Sequence, residues 1–252
     1  MYNHPSREMT LSASMMFPIG LILLVAGFIQ GLTGFGFGMV AMSLTPLLVD
    51  VKFASILIAL LSTVNNFLVL WSVRRSVNLR NVLFIFLGGV MGIPIGVYLL
   101  KTLDAALIKR ILGTVLVVFS GYSLARRGEP KFRIGEIWAV PMGICSGVLN
   151  GIINMGGPPV IIYTYHKGWD KRVVKATMVF YFCVLSTYKI SLFVAARMIS
   201  GEILKLSLIL IPIMFLGTGL GFPIFERINR EGMRRITFIL LLVLGVILIL
   251  RT

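Results

Sequence analysis

Acidic side chains are scarce in this sequence: nine Asp and Glu stand against 24 Lys and Arg, and none of the nine lies at the centre of an apolar run. That shortage leaves no paired carboxylates for acid–base chemistry and no acidic relay for protons through an apolar interior. Histidine and cysteine are as sparse, two of each, and their spacing matches no metal or redox site. Cys145 and Cys183 both fall inside apolar runs and read as small buried hydrophobes. No nucleophile is patterned with a base, and no nucleotide-binding loop is present to power a pump. Charged residues make up only 13% of the chain, against roughly a quarter in soluble domains. No linker, low-complexity tract or soluble domain stands out. Residues 1–16 are polar but lack the basic start and small-residue cleavage site of a signal peptide. The first apolar run is therefore expected to act as the targeting signal.

What the chain has in abundance is apolar length. It is 58% hydrophobic with a mean hydropathy of +0.97, which places it in lipid as an all-α membrane protein. A net charge of +15 would point to nucleic acid in a soluble protein. Here the basic residues sit in short loops between apolar runs, where they orient the chain and meet anionic headgroups. Eight hydrophobic segments follow one another, at 17–49, 53–73, 82–100, 108–124, 134–165, 173–196, 206–225 and 236–250. Most match the roughly 17–25 residues that one crossing helix needs. The first and fifth are too long, about 50 Å as single helices in a hydrocarbon core of about 30 Å. Each is interrupted, the first by Gly31-Leu32-Thr33-Gly34-Phe35-Gly36-Phe37-Gly38, the fifth by Asn150-Gly151-Ile152-Ile153-Asn154-Met155-Gly156-Gly157-Pro158-Pro159. Both are expected to be broken, re-entrant helical hairpins whose arms are each too short to span.

The two interruptions also mark an internal repeat. A shift of 120 residues lays Gly27, Gly31 and Gly36 on Gly147, Gly151 and Gly156, and Gln30 on Asn150. Further on, Leu61-Ser62-Thr63 matches Leu185-Ser186-Thr187, Gly92 and Gly96 match Gly217 and Gly221, and Lys109-Arg110-Ile111 matches Arg234-Arg235-Ile236. The expected organisation is a polar segment 1–16, a first transmembrane repeat 17–127 and a second 134–252, together one domain. Charge separates two topologies. If all eight segments cross, Lys and Arg divide almost evenly. If the two broken ones return, one side holds fifteen and the other eight, with Trp71, Trp138 and Trp169 near the basic side. The positive-inside rule then prefers hairpins, inverted four-segment repeats and both termini outside.

Lys189 is the only basic residue deep within an apolar run. Such a charge costs at least about 2.5–3.5 kcal/mol at a helix centre, so it signals function unless it snorkels to an interface. No acidic partner is visible, and a cation without one invites an anion. In the repeat register Lys189 falls on Asn65. The interrupted segments add a second anion signal, because a helix that restarts inside the membrane presents unpaired N–H groups. Pro158-Pro159 reads as such a restart, with Asn154 as its cap or as a ligand contact. Gly88, Gly92 and Gly96 are read as helix-packing glycines instead. The candidate binding set is Lys189, Asn65, Asn154, Thr33, Gly36, Phe37, Gly38, Gly156, Gly157, Pro158, Ser62 and Thr187. Ser186, Thr63, Tyr163, Tyr181 and Tyr188 are weaker candidates.

These two glycine-rich breaks, each opening a four-segment half, resemble the sulfite exporter TauE/SafE family. The resemblance covers the chain beyond residue 16 and includes Pro46 after the first break and Tyr163 after the second. Asn154 stands where that family more usually has glycine. The resemblance implies export of sulfite or a small organosulfonate such as sulfoacetate across the bacterial inner membrane, with no catalytic residue, metal or cofactor. The expected partners are a small anion and membrane lipid, not nucleic acid, with a homodimer left open. A cation-coupled importer of sulfur oxyanions or sulfonates, a membrane enzyme on lipid-linked substrates and a non-transporting assembly partner are the alternatives.

Overall fold

A computed structural model describes residues 13–33, 36–73, 79–125, 135–165, 171–224 and 230–250. The regular structure among them is helical: α1 (Ala13–Thr33), α2 (Phe37–Leu44), α3 (Val51–Val73), α4 (Leu79–Thr102), α5 (Ala105–Ala125), α6 (Ala139–Ile153), α7 (Gly157–Tyr165), α8 (Lys171–Ala195), α9 (Gly201–Ile224) and α10 (Arg230–Leu250). Short 3-10 turns at Thr45–Leu47 and Glu136–Trp138 follow α2 and precede α6. Some of the few polar residues at the loops start the helices. Asp50 accepts the N–H groups of Lys52 and Phe53 at 2.8 and 3.2 Å, Asp104 that of Leu107 at 2.6 Å, and Ser200 that of Ile203 at 3.2 Å.

Burial runs opposite to that of a soluble protein. Leu208, Leu216, Met91 and Val118 are exposed, whereas Gln30, Asn65, Asn66, Asn150 and Lys189 are buried. An apolar rim around a polar interior is what hydrocarbon solvent demands. Among the described residues, seven helices are long and apolar enough to cross a membrane: α1, α3, α4, α5, α6 with its leading turn, α8 and α9. The eighth expected segment is represented by the shorter apolar stretch Phe238–Leu250 of α10. Cys183 is buried as expected, whereas Cys145 is exposed on the outer face of α6. Residues 1–12, Trp169 and the side chain of Thr33 lie outside the described residues.

The two long runs do break, but not into two short arms. Met15–Leu32 and Glu136–Ile153 are each long enough to cross, and only the returning arms are short, eight residues in α2 and nine in α7. The reason is what surrounds the early glycines. Gly27 lies against Met214 and Thr218, and Gly31 against Thr218 and Gly221, so α1 stays helical through both and packs on α9. Gly147 and Gly151 do the same on α4, meeting Gly92 and Gly96. These four are packing surfaces, like Gly88, Gly92 and Gly96 themselves.

In these contacts residue numbers rise together, so α1 runs parallel to α9 and α4 parallel to α6. Small residues at every fourth position let the backbones approach where lipid offers no hydrophobic drive. The α5–α10 pair runs the other way. Gly113 meets Ile249, Leu116 and Val117 meet Gly245, and Phe119 stacks edge-on against Phe238 with ring centroids 5.4 Å apart. The α3–α8 pair completes the main contacts, so each of these long helices has a principal partner across the middle of the sequence.

Gly92 and Gly219 test the packing. A Cβ at Gly92 would run into the carbonyl of Ile144, while at Gly219 it would meet nothing within 4 Å. Gly92→Ala is expected to destabilise the protein by about 1–3 kcal/mol through overpacking. Gly219→Ala should be neutral, or stabilising by up to about 1 kcal/mol from helix propensity. Denaturation of both purified variants in one detergent is the check; equal stabilities would mean that α4 and α6 are not tightly apposed.

Candidate anion site at the two helix breaks

Each break contains a residue whose backbone is left-handed. Gly36 precedes α2 with φ 105°, and Asn154 ends α6 with φ 56° and ψ 25°. Asparagine is one of the few side-chain-bearing residues that adopt this conformation at modest cost. Asn154 therefore closes α6, its N–H returning to the Asn150 carbonyl at 3.1 Å, and does not cap α7. The breaks touch: the Asn154 carbonyl occupies the place a side chain at Gly38 would need.

The loosened backbone is held by side chains. At the first break the Phe37 N–H donates to Gln30 Oε1 at 3.2 Å, and Gln30 Nε2 donates to Asn66 Oδ1 at 2.8 Å. At the second, the Ser55 hydroxyl donates to the Ile152 carbonyl at 2.8 Å, and Asn154 Nδ2 donates back to the Ser55 carbonyl and hydroxyl at 2.8 and 3.1 Å. Ser146 donates to the Gly156 carbonyl at 2.6 Å and accepts from the Tyr181 hydroxyl at 3.0 Å. The restart at α7 opens Gly157-Pro158-Pro159, and prolines carry no N–H. Of the two restarts, α2 is the better donor end, because its Gly38 and Met39 N–H groups fall in a first turn and have no acceptor among the described residues.

Between the breaks lies a cavity of about 40 Å³. Gly36, Gly38 and Met39 wall it on the first break, and Asn150, Asn154 and Gly157 on the second. Ser62 and Asn66 reach it from the middle of α3, Phe182 and Ser186 from the middle of α8, and Gln30 from α1. The lining mixes polar side chains with Met39 and Phe182 and carries no formal charge.

Lys189 stands behind this lining, six residues before the end of α8 at Ala195. It is 0% exposed, so it does not snorkel. Its Nζ donates to the backbone and side-chain oxygens of Asn150, at 3.0 and 2.9 Å, and to Asn154 Oδ1. All three ammonium donors are thus engaged by amide oxygens.

Of the residues expected from sequence, Gly36, Gly38, Ser62, Asn154 and Gly157 line the cavity and Lys189 backs it. Phe37 and Pro158 are buried within the breaks, and Gly156 is tied to Ser146. Asn65 faces α9 instead, its Oδ1 accepting from the Thr218 hydroxyl at 2.8 Å. Thr187 is exposed and donates to the Cys183 carbonyl at 2.9 Å. Gln30, Met39, Asn66, Asn150 and Phe182 were not in the expected set. The signal for the amides was available, since a carboxamide inside an apolar run is costly unless it is paired.

The sequence profile of the family described as sulfite exporter TauE/SafE matches residues 19–248. The chain is 26% identical over 249 residues to a "Probable sulfite/organosulfonate exporter TauE" of Cupriavidus necator, covering 95% of this chain and 97% of that protein. It is 27% identical over 173 residues to a "Probable inner membrane transporter protein TsaS" of Comamonas testosteroni, covering 68% of this chain and 72% of that one. No solved structure matches it. With the family profile spanning nearly its whole length, and with polar helix breaks enclosed by apolar spans, this chain belongs to the sulfite exporter TauE/SafE family and is a multi-pass membrane transporter, not an enzyme.

Proposed function

We propose that this transporter exports sulfite or a small organosulfonate across the bacterial inner membrane, and that the anion passes through the cavity where the two breaks meet. The observation that carries the reading is that cavity. Polar groups from both breaks converge on it, halfway along α3 and α8, inside a protein whose surface is apolar. Its size supports the smaller end of the substrate range: one water needs roughly 10–15 Å³ of such space, so the cavity suits a few heavy atoms. Asn66, Asn150, Ser186 and the Gly38 and Met39 N–H groups of α2 are the proposed contacts, with Asn154, Gly36 and Gly157 shaping the site and Lys189 behind it. The names of the two relatives support both substrate class and membrane. An interior-negative potential favours anion expulsion by about 2.3 kcal/mol per charge per 100 mV, so export needs no second ion in principle.

The topology belongs to the same proposal. If both broken segments return to the side they entered, α1 and α9 run in one direction, α4 and α6 share the other, and α5 and α10 oppose each other. If all eight segments crossed, α5 and α10 would run parallel. The antiparallel contacts of Gly113 with Ile249 and of Phe119 with Phe238 therefore support two returning hairpins, and with them inverted repeats 17–127 and 134–252. The charge bias then puts both termini in the periplasm. Lipid is expected around the exposed apolar rim, and a homodimer is a question for detergent-free sizing.

Three measurements test these readings. A ligand at one hundred times its Kd stabilises by about 2.7 kcal/mol, so sulfite is expected to raise the melting temperature of the purified protein and to leave preloaded proteoliposomes in a saturable way. If sulfite, thiosulfate, taurine and sulfoacetate all neither stabilise nor move, the substrate assignment is wrong. Reporter fusions should find both termini periplasmic and the 126–133 loop cytoplasmic; termini on opposite sides would remove the hairpin topology. Gly38→Val should insert normally yet abolish efflux, because its side chain would drive the Asn154 carbonyl away and part the two breaks. Wild-type efflux in that variant would show that the breaks need not meet.

A further inference from the structure

We propose that Lys189 is a positioning residue: it orients the carboxamides of the second break so that the cavity offers an anion hydrogen-bond donors and turns carboxamide oxygens away. The inference rests on the reading that this cavity is the anion's path, and it assigns the selectivity of that path to side chains that carry no charge.

A carboxamide presents an oxygen at one end and an NH₂ at the other, and its shape does not decide which faces a cavity. Here two unambiguous donors decide. The Lys189 ammonium has donors only. The group bonded to it on Asn150 must therefore be Oδ1, as must the group on Asn154. Asn154 spends its Nδ2 on Ser55. The Nδ2 of Asn150 has no partner among the described residues, and Asn150 lines the cavity. At the first break the deciding donor is the backbone N–H of Phe37, which requires the oxygen of Gln30. Gln30 must then donate to Asn66 through Nε2, which takes Asn66 Oδ1 and leaves its Nδ2 for the cavity.

The result is the same on both sides. Asn66 Nδ2 and Asn150 Nδ2 have no hydrogen-bond partner among the described residues, the Ser186 hydroxyl lines the same space, and Gly38 and Met39 add first-turn N–H groups. Every carboxamide oxygen of Gln30, Asn66, Asn150 and Asn154 is already bonded to a protein donor. Such a lining favours a deprotonated oxyanion over a cation or a protonated acid, for which it offers hydroxyl oxygens such as that of Ser62, whose proton goes to the Ala59 carbonyl, in place of carboxamide oxygens. Because the ammonium's three bonds are already made, the anion meets dipoles rather than a bare charge. That suits a path, where binding must be weak enough to release.

The test separates donors from charge at position 189. Lys189→Met removes all donors and frees both asparagine oxygens to face the cavity; Lys189→Gln keeps an N–H donor without the charge. Sulfite titration of the purified proteins should show affinity down by at least about tenfold in Lys189→Met, and within about threefold of the parent in Lys189→Gln. If Gln is as damaging as Met, the charge itself holds the anion and the proposal fails. If Met binds normally, the lysine has no role in the site. Asn66→Asp gives an answer even if Lys189→Met does not survive purification. It keeps the acceptor for Gln30, lies outside the Lys189 hydrogen bonds and puts an oxygen where the cavity now has an N–H. Its sulfite affinity should be lost, and an undiminished affinity would overturn the donor lining. Absence of sulfite binding in the parent protein would be a different failure, that of the transport assignment.

Discussion

A helix that stops inside a bilayer exposes backbone groups that hydrocarbon cannot satisfy, and this chain stops and restarts two helices within its interior. Much of the buried polar chemistry answers that constraint. Gln30 receives the Phe37 N–H, Ser55 serves the Ile152 carbonyl, Ser146 serves Gly156, and Lys189 serves the Asn150 carbonyl. The groups left over after that service, chiefly one NH₂ each on Asn66 and Asn150, are the ones that face the cavity. Site and scaffold are therefore one hydrogen-bond network, and the chemistry available to a substrate is what the helix ends do not consume.

The lysine shows how the same residue reads differently once its neighbours are placed. As a lone cation in an apolar run it invites a direct partnership with substrate. With three amide oxygens around it, it is a structural cation whose field reaches the cavity through oriented dipoles. Gln30 and Asn66 do the corresponding work in the first half of the chain without any charge. The two walls of the cavity are thus built alike in hydrogen bonding and unlike in electrostatics.

Much of the architecture was legible in the sequence because bilayer thickness is a fixed ruler: runs too long to be one helix had to break, and they break within the expected stretches. The exact points were not legible. Gly27, Gly31, Gly147 and Gly151 look like helix breakers, yet each is pressed against a backbone of α9 or α4, and a glycine in contact keeps its helix. Only contact partners distinguish the two uses. The site suffered from a similar ambiguity at the scale of one residue. The Leu-Ser-Thr matches align Asn65 with Lys189, but neighbouring helical residues are turned by about 100°. Asn65 accordingly meets Thr218 on α9, and Asn66 meets Gln30 at the break. Asn154, which departs from the expected glycine, adopts the left-handed turn that glycine favours and gains Ser55 and Lys189 as partners there.

The glycine seams bear on how the molecule is made. α1 finds its close-packed partner in α9, and α4 finds its own in α6, so α1 leaves the ribosome well before the helix it packs on. During that interval α1 stands in lipid with Gly27 and Gly31 uncovered, and α2 cannot settle before Asn154 arrives to meet Gly38. Biogenesis is thus a matter of storing individually inserted helices until the second half of the chain closes first the α4–α6 seam and then the α1–α9 seam. A nascent chain cut between α5 and α6 would hold neither glycine seam, however well its helices had entered the membrane.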